Sequence, residues 1–128
     1  MTDAISVLVV EDDADGREMY VIGLSLSGYV VAEAADGEAA LASAVAHPPD
    51  VVVTDLGLPG LSGAELCRAL RANPSTAHVP LIALSGRGES VARDVDAGIL
   101  PCDVLLVKPC APDELVAAIV RVTGHSAP

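Results

Sequence analysis

Short apolar runs alternate along this chain with longer segments in which apolar residues recur every three or four positions, and that alternation predicts strands and helices in strict succession. Ile5 to Val10 is a short apolar run that stops abruptly at Glu11-Asp12-Asp13, the pattern of a buried strand with acids at its C-terminal end. From Asp15 to about Ser27 the spacing of Met19, Ile22, Leu24 and Leu26 predicts an amphipathic helix closed by Gly28. Tyr29 to Ala34 reads as a second strand and Asp36-Gly37 as a turn. Alanine-rich Glu38 to Ala46 follows as a helix, stopped by Pro48-Pro49. Val51-Val52-Val53-Thr54-Asp55 is the most strand-like segment, and it too ends on an acid. Gly57, Pro59, Gly60 and Gly63 mark a loop leading to a helix from about Ser62 to Arg71. Pro80 to Leu84 predicts a fourth strand, followed by the glycine-rich Ser85-Gly86-Arg87-Gly88 and a helix over Ser90 to Ala97 that ends at Gly98. Val104 to Val107 is a fifth strand. Asp113 to Val122 closes the chain as a helix with Leu115, Val116, Ile119 and Val120 on one face, and His125 to Pro128 is expected to fray.

Strands that alternate with helices require crossover connections. The expected fold is therefore α/β, a doubly wound five-stranded parallel sheet with helices on both faces. At 128 residues and 52% apolar content the chain has material for one core, and no linker, repeat or low-complexity segment divides it. One domain over residues 1–128 is expected, with its core at about 5–123. No apolar run approaches the roughly 20 residues of a membrane span, and Met1-Thr2-Asp3-Ala4 carries no basic region ahead of an apolar stretch.

Charge narrows the function. Eighteen acids against seven bases give a net charge of −11, which argues against direct nucleic-acid binding, since phosphate neutralisation needs a basic face. The same balance suits a cation site or a partner with a positive patch, and it also simply favours solubility. Lys108 is the only lysine in the chain. Cys67, Cys102 and Cys110 form no C-x-x-C pair, so packing thiols in a reducing, cytoplasmic compartment are expected rather than a zinc site.

In an open doubly wound sheet, functional groups gather beyond the carboxyl ends of the strands. Those ends supply Glu11, Asp12 and Asp13, then Asp55, then Ser85, then Lys108. Any one of these acids alone would be an ordinary loop residue or helix cap. Three or four carboxylates, a hydroxyl and the sole ammonium at one edge are a site. Clustered carboxylates repel unless a cation joins them, and a small set of oxygen ligands suits Mg²⁺ better than zinc.

The segments V-L-V-V-E-D-D (Val7 to Asp13), A-D-G-E-A-A-L (Ala35 to Leu41), V-V-V-T-D-L-G-L-P-G-L-S-G (Val51 to Gly63), I-A-L-S-G (Ile82 to Gly86) and L-V-K-P (Leu106 to Pro109) stand in the order and spacing of a known family. Over about Ser6 to Thr123 the chain resembles the receiver domain of two-component response regulators, which has the flavodoxin-like architecture. The resemblance implies that Asp55 is the phosphoacceptor. Asp12 would ligate Mg²⁺ directly, Glu11 through water, and the carbonyl of Gly57 would be a further ligand, while Asp13 reads as a loop acid or cap. Ser85 would be the switch hydroxyl, and Gly86 the small residue leaving room for the phosphoryl group. Lys108 would pair first with Asp55 and then with the phosphoryl group, and Lys108–Pro109 is a candidate cis bond.

The implied function is a phosphorylation-dependent switch. It would be charged by a sensor histidine kinase or phosphotransfer protein and would dephosphorylate itself, so it is not a turnover enzyme. The implied partners include a downstream protein target or effector domain, and a phosphorylation-linked homodimer is also implied. Neither nucleic acid nor membrane is expected to be contacted. The chain would be a stand-alone receiver or a piece of a larger regulator. Leu105 stands where receivers usually carry an aromatic or His, and burial favours an inward leucine by about 1.5–3 kcal/mol. Gly57 and Arg87 occupy two positions that often modulate dephosphorylation. Two other readings compete. An aspartyl phosphatase of the haloacid dehalogenase kind needs an acid two residues past its nucleophile, where this chain has Gly57. A receiver-like module that interacts without phosphorylation is the alternative.

Overall fold

The computed structural model describes residues 4–86, 93–95 and 97–125. The strands are β1 (Ser6–Val10), β2 (Val30–Ala34), β3 (Val51–Asp55), β4 (Leu81–Ser85) and β5 (Val104–Val107). The helices are α1 (Ala14–Leu26), α2 (Gly37–Ala46), α3 (Gly63–Ala72) and α4 (Pro112–Thr123). Residues 93–95, within the helix expected over Ser90 to Ala97, are helical, and Gly98 closes that turn with φ 76°. Ala97 follows as a turn, while residues 90–92 and 96 of that expected helix, like Arg87 and the last three residues, lie outside the described residues.

The five strands form one all-parallel sheet in the order β2-β1-β3-β4-β5, so the doubly wound architecture expected from the alternation is present. Successive side chains point to opposite faces, and the apolar runs split accordingly. Val7, Val9, Val51, Val53, Ile82 and Leu84 join Tyr20 and Leu24 of α1 with Leu115 and Ile119 of α4 in one core. Leu8, Val10, Val52 and Leu81 join Ala40 and Ala44 of α2 with Leu66, Cys67 and Leu70 of α3 in the other. Runs such as Val51–Val53 are continuously apolar because both of their faces are covered.

Capping moves several helix starts from their expected positions. Asp13 precedes α1 and its carboxylate accepts from the Gly16 N–H at 2.9 Å, while Asp36 does the same for Ala39 at 2.7 Å, so α2 begins at Gly37. Ser62 and Glu65 form a capping box at α3. The buried stripe of α1 is also different. Tyr20 and Leu24, one helical turn apart, face the core, whereas Met19, Ile22 and Leu26 are exposed. Amphipathic spacing admits either face of such a helix, and only the strands beneath decide between them. No helix among the described residues is long and apolar enough to cross a membrane.

Two glycines set how the chain closes over the sheet. A Cβ at Gly23 would fall 2.5 Å from the Cβ of Pro112, so α1 and α4 approach closely only because residue 23 has no side chain. A Cβ at Gly63 would overlap the backbone of Asp55 and Leu56, which cannot swing aside. Gly63→Ala should therefore lower stability by about 2 kcal/mol, read as a reduced urea midpoint. Gly86→Ala, where a Cβ meets nothing within 4 Å, should stay within about 0.5 kcal/mol of the parent.

Candidate functional site

Parallel pairing puts the carboxyl ends of the strands at one edge, and the register aligns them. Val10 lies opposite Thr54, Asp55 opposite Leu84, and Ser85 opposite Val107. The residue leaving each strand is thus beside the residue leaving its neighbour. Glu11 extends β1 by one step, its N–H donating to the Ala34 carbonyl at 3.1 Å, and Lys108 extends β5 by donating its N–H to the Ser85 carbonyl at 2.8 Å.

Lys108 reaches across the sheet from its far edge. Its Nζ donates to Glu11 Oε1 at 2.7 Å and to Asp55 Oδ2 at 2.9 Å. Glu11 is almost wholly buried, the Asp55 side chain is 13% exposed, and that of Lys108 is 29% exposed. Asp55 is also held from below, since the Gly57 N–H donates to its Oδ1 at 3.1 Å. Carboxylate oxygens of Glu11, Asp12 and Asp55 lie within 4.8 Å of one another, with Asp12 on the solvent side. Three carboxylates and one ammonium leave two net negative charges at this point. An all-oxygen donor set open to water on one side fits a hard divalent cation such as Mg²⁺, which keeps several of its waters.

The other expected residues are close by. Ser85 is buried at the end of β4, Gly86 beside it is exposed with open space around it, and the Lys108–Pro109 bond is cis. Gly57 is exposed, and the nearest atom to a Cβ there would be Asp55 Oδ1 at 3.8 Å. Asp13 is kept out of the cluster by its capping bond to Gly16. Leu105, expected inward, is half-buried, and among the described residues it joins neither core. It pairs with Ala83 on the edge strand, where side chains have a neighbouring strand on one side only. Cys67 and Cys110 are buried thiols whose pKa values burial pushes up to about 12 and about 11, which suits inert packing groups.

Two further residues, neither of them among the expected site residues, support the site. Arg17 donates from Nη1 to the Glu11 carbonyl at 2.9 Å. Glu38 accepts from the Leu61 N–H at 3.1 Å, tying the loop after β3 to the start of α2. Arg17 did leave a signal in the sequence, because a cation in the first turn of a helix opposes the macrodipole and needs a specific partner.

The charges in the site are unequal. Burial pushes the Glu11 carboxyl up, and the neighbouring Asp55 adds to that, outweighing the hydrogen bond from Lys108. Burial would also raise Asp55, but the hydrogen bonds from Lys108 and the Gly57 N–H, together with the Lys108 charge, bring it below the ordinary carboxylate range. Burial disfavours the Lys108 ammonium, yet its bonds to Glu11 and Asp55 prevail and raise its pKa well above that of a free lysine. Asp55 is therefore the anion and Lys108 the cation at neutral pH, and Glu11 carries the strain of like charge.

Residues 7–120 match the response regulator receiver domain family. The chain is 37% identical over 124 residues to the phosphate regulon transcriptional regulatory protein PhoB of Pseudomonas aeruginosa, covering 93% of this chain and 53% of that protein. It thus spans about half the length of the curated relatives it matches. Among solved structures, the chemotaxis response regulator CheY4 of Vibrio cholerae superposes with a TM-score of 0.86 at 30% identity, covering 94% of this chain and 99% of that one. The receiver domain of sensor histidine kinase PA1611 from P. aeruginosa, which has a magnesium ion coordinated in its active-site cleft, superposes with a TM-score of 0.86 at 29% identity, covering 96% and 100%.

A raised carboxyl pKa contributes stability only below the ordinary carboxylate range and loses it as pH climbs through the folded pKa, so ionised Glu11 is a liability at neutral pH. Asp55 has the opposite sign, its contribution being lost as pH falls through its lowered pKa. With chelator present, Glu11→Gln should raise the melting temperature by a few degrees at about pH 7, and the gain should fade by about pH 4, where the wild-type Glu11 is itself protonated. Thermal melts at the two pH values check this.

Proposed function

The chain belongs to the response regulator receiver domain family, and from that premise we propose that it is a phosphorylation-dependent signalling switch in which Asp55 accepts a phosphoryl group from a histidine kinase or phosphotransfer protein. Receiver domains of this family are signalling switches rather than turnover enzymes. The observation that carries the proposal is the placement of Asp55. Its carboxylate is held at Oδ1 by the Gly57 N–H and at Oδ2 by Lys108, beside the acid pair and with open space at Gly86.

The chemistry follows from that arrangement. The lowered pKa keeps Asp55 ionised, so it meets the donor as a nucleophile without a general base. An oxygen of Asp55 forms the new bond to phosphorus while the phosphorus–nitrogen bond of a phosphohistidine breaks, and the leaving imidazole takes a proton from solvent. Negative charge on the equatorial oxygens is what the site must stabilise. Lys108, released from one oxygen of Asp55, pairs with the phosphoryl group, and the Ser85 hydroxyl donates a second bond to it. Asp12, Asp55 and the Gly57 carbonyl, with Glu11 behind them, would hold Mg²⁺, and the ion would supply the remaining positive charge. The coordinated magnesium in the PA1611 receiver supports that choice of ion. Hydrolysis of the acyl phosphate, by water attacking phosphorus, restores the resting carboxylate, and Gly57 presents no side chain to obstruct that water. The regulatory output passes to a partner protein or effector domain.

Acetyl phosphate with Mg²⁺ should add one phosphoryl group to the protein, and Asp55→Asn should add none, as read by intact mass. A wild-type protein that takes no label would leave a phosphorylation-independent interaction module. Mg²⁺ should also raise the melting temperature by mass action. Asp12→Asn should remove most of that rise and Asp13→Asn little of it, because the Asp13 carboxylate is already engaged at the helix cap.

A further inference from the structure

The turn that presents Glu11 and Asp12 is tied down at two levels. The side chain of Glu11 is anchored by Lys108 at Oε1 and faces the Asp13 N–H at Oε2, 3.4 Å away. Its backbone is anchored separately. The Glu11 N–H continues the ladder to Ala34 in β2, while its carbonyl accepts from Arg17 Nη1 at 2.9 Å. The same guanidinium donates from Nε to Glu33 Oε1 at 3.0 Å, one residue short of the end of β2. One planar group therefore joins three segments: the first turn of α1, the backbone at the exit from β1 and, through the Glu33 side chain, the end of β2. Its side chain is 20% exposed, whereas that of Glu33 is 53% exposed, so the bond to the carbonyl is the more protected of the two.

This position is costly for a cation. Arg17 is the fourth residue of α1, where the helix dipole disfavours positive charge. A positive charge beside an acid cluster also opposes the entry of a divalent ion. Glu33 offsets much of that charge without touching the Glu11 carbonyl. A guanidinium donates from several fixed directions at once, which the single ammonium of lysine does not reproduce. The shared fork, more than the charge, is what the site uses.

We propose that Arg17 is a positioning residue for the acid pair, its guanidinium fixing the backbone at Glu11 so that the carboxylates of Glu11 and Asp12 are held ready for a divalent cation. The inference rests on the assignment of Glu11, Asp12 and Asp55 as a Mg²⁺ site. It makes a prediction whose sign separates geometry from charge. If Arg17 acted only through its charge, removing it would tighten Mg²⁺ binding. If it positions the turn, removing it weakens binding.

Mg²⁺ titrations of the wild type, Arg17→Ala, Arg17→Lys and Glu33→Gln by calorimetry decide the matter, with the half-saturating Mg²⁺ for acetyl-phosphate labelling as a second readout. Arg17→Ala should bind Mg²⁺ about tenfold more weakly, the usual loss when an outer partner of a metal ligand is removed. Its labelling rate at saturating Mg²⁺ should match the wild type. Arg17→Lys, which keeps the charge and loses the fork, should also weaken binding, whereas Glu33→Gln should stay near the wild-type affinity. Unchanged or tighter Mg²⁺ binding by Arg17→Ala would overturn the proposal, as would a lowered melting temperature with unaltered Mg²⁺ affinity. Should Arg17→Ala fail to fold, wild-type affinity in Arg17→Lys would overturn it equally. A wild-type protein that binds no Mg²⁺ would remove the assignment of the metal site and this inference with it, an outcome distinct from any of the variant results.

Discussion

The contact on which the rest of the site depends is the bridge from Lys108 to Glu11 and Asp55. Three carboxylates meet at one edge of the sheet, and like charges this close raise one another's pKa values unless a cation stands among them. The sole lysine of the chain fills that place. It reaches there because β5 is parallel to β4 and its exit is locked to Ser85 by one more ladder bond. A buried pair gains nothing if its geometry is loose, so the register of the whole sheet serves the position of one ammonium group.

Around that bridge the backbone is held by groups with little chemistry of their own. Gly63 allows α3 to begin directly against Asp55 and Leu56. Glu38 accepts from Leu61 and so pins the loop containing Gly57 to the start of α2. Asp13 caps α1 and is thereby removed from the acid cluster. Each contact is modest in energy, yet together they leave Asp55, Asp12 and Lys108 little freedom to relax away from one another. Sites built from mutually repelling groups are commonly supported by rigid surroundings that hold the strain in place.

The sheet also explains why the acids do different work. Glu11 sits deepest and bears the rise in pKa, Asp55 gathers the hydrogen bonds that keep it ionised, and Asp12 stays at the solvent side. Neighbouring carboxylates thus differ through burial and hydrogen bonding together. The same logic separates Leu105 from the core residues beside it, since an edge strand shields a side chain less than a central one.

Much of this molecule was legible in the order of its residues. The alternation of apolar runs and helical spacing determined a parallel doubly wound sheet, because parallel strands buried on both faces leave a continuous apolar signature. With that topology given, Glu11, Asp12, Asp55, Ser85 and Lys108 had to gather at one edge, since the carboxyl ends of parallel strands share it. What the sequence left open was decided by contacts between segments far apart in the chain. Which face of α1 is buried, Tyr20 and Leu24 rather than Met19, Ile22 and Leu26, depends on the strands beneath it. The removal of Asp13 from the cluster depends on a capping bond. The role of Arg17 depends on β1 and β2 lying side by side, so that one guanidinium meets Glu11 and Glu33 together. Periodicity reports the surface a segment needs to bury, but hydrogen bonds and charge partners across the fold exist only once that surface has been buried.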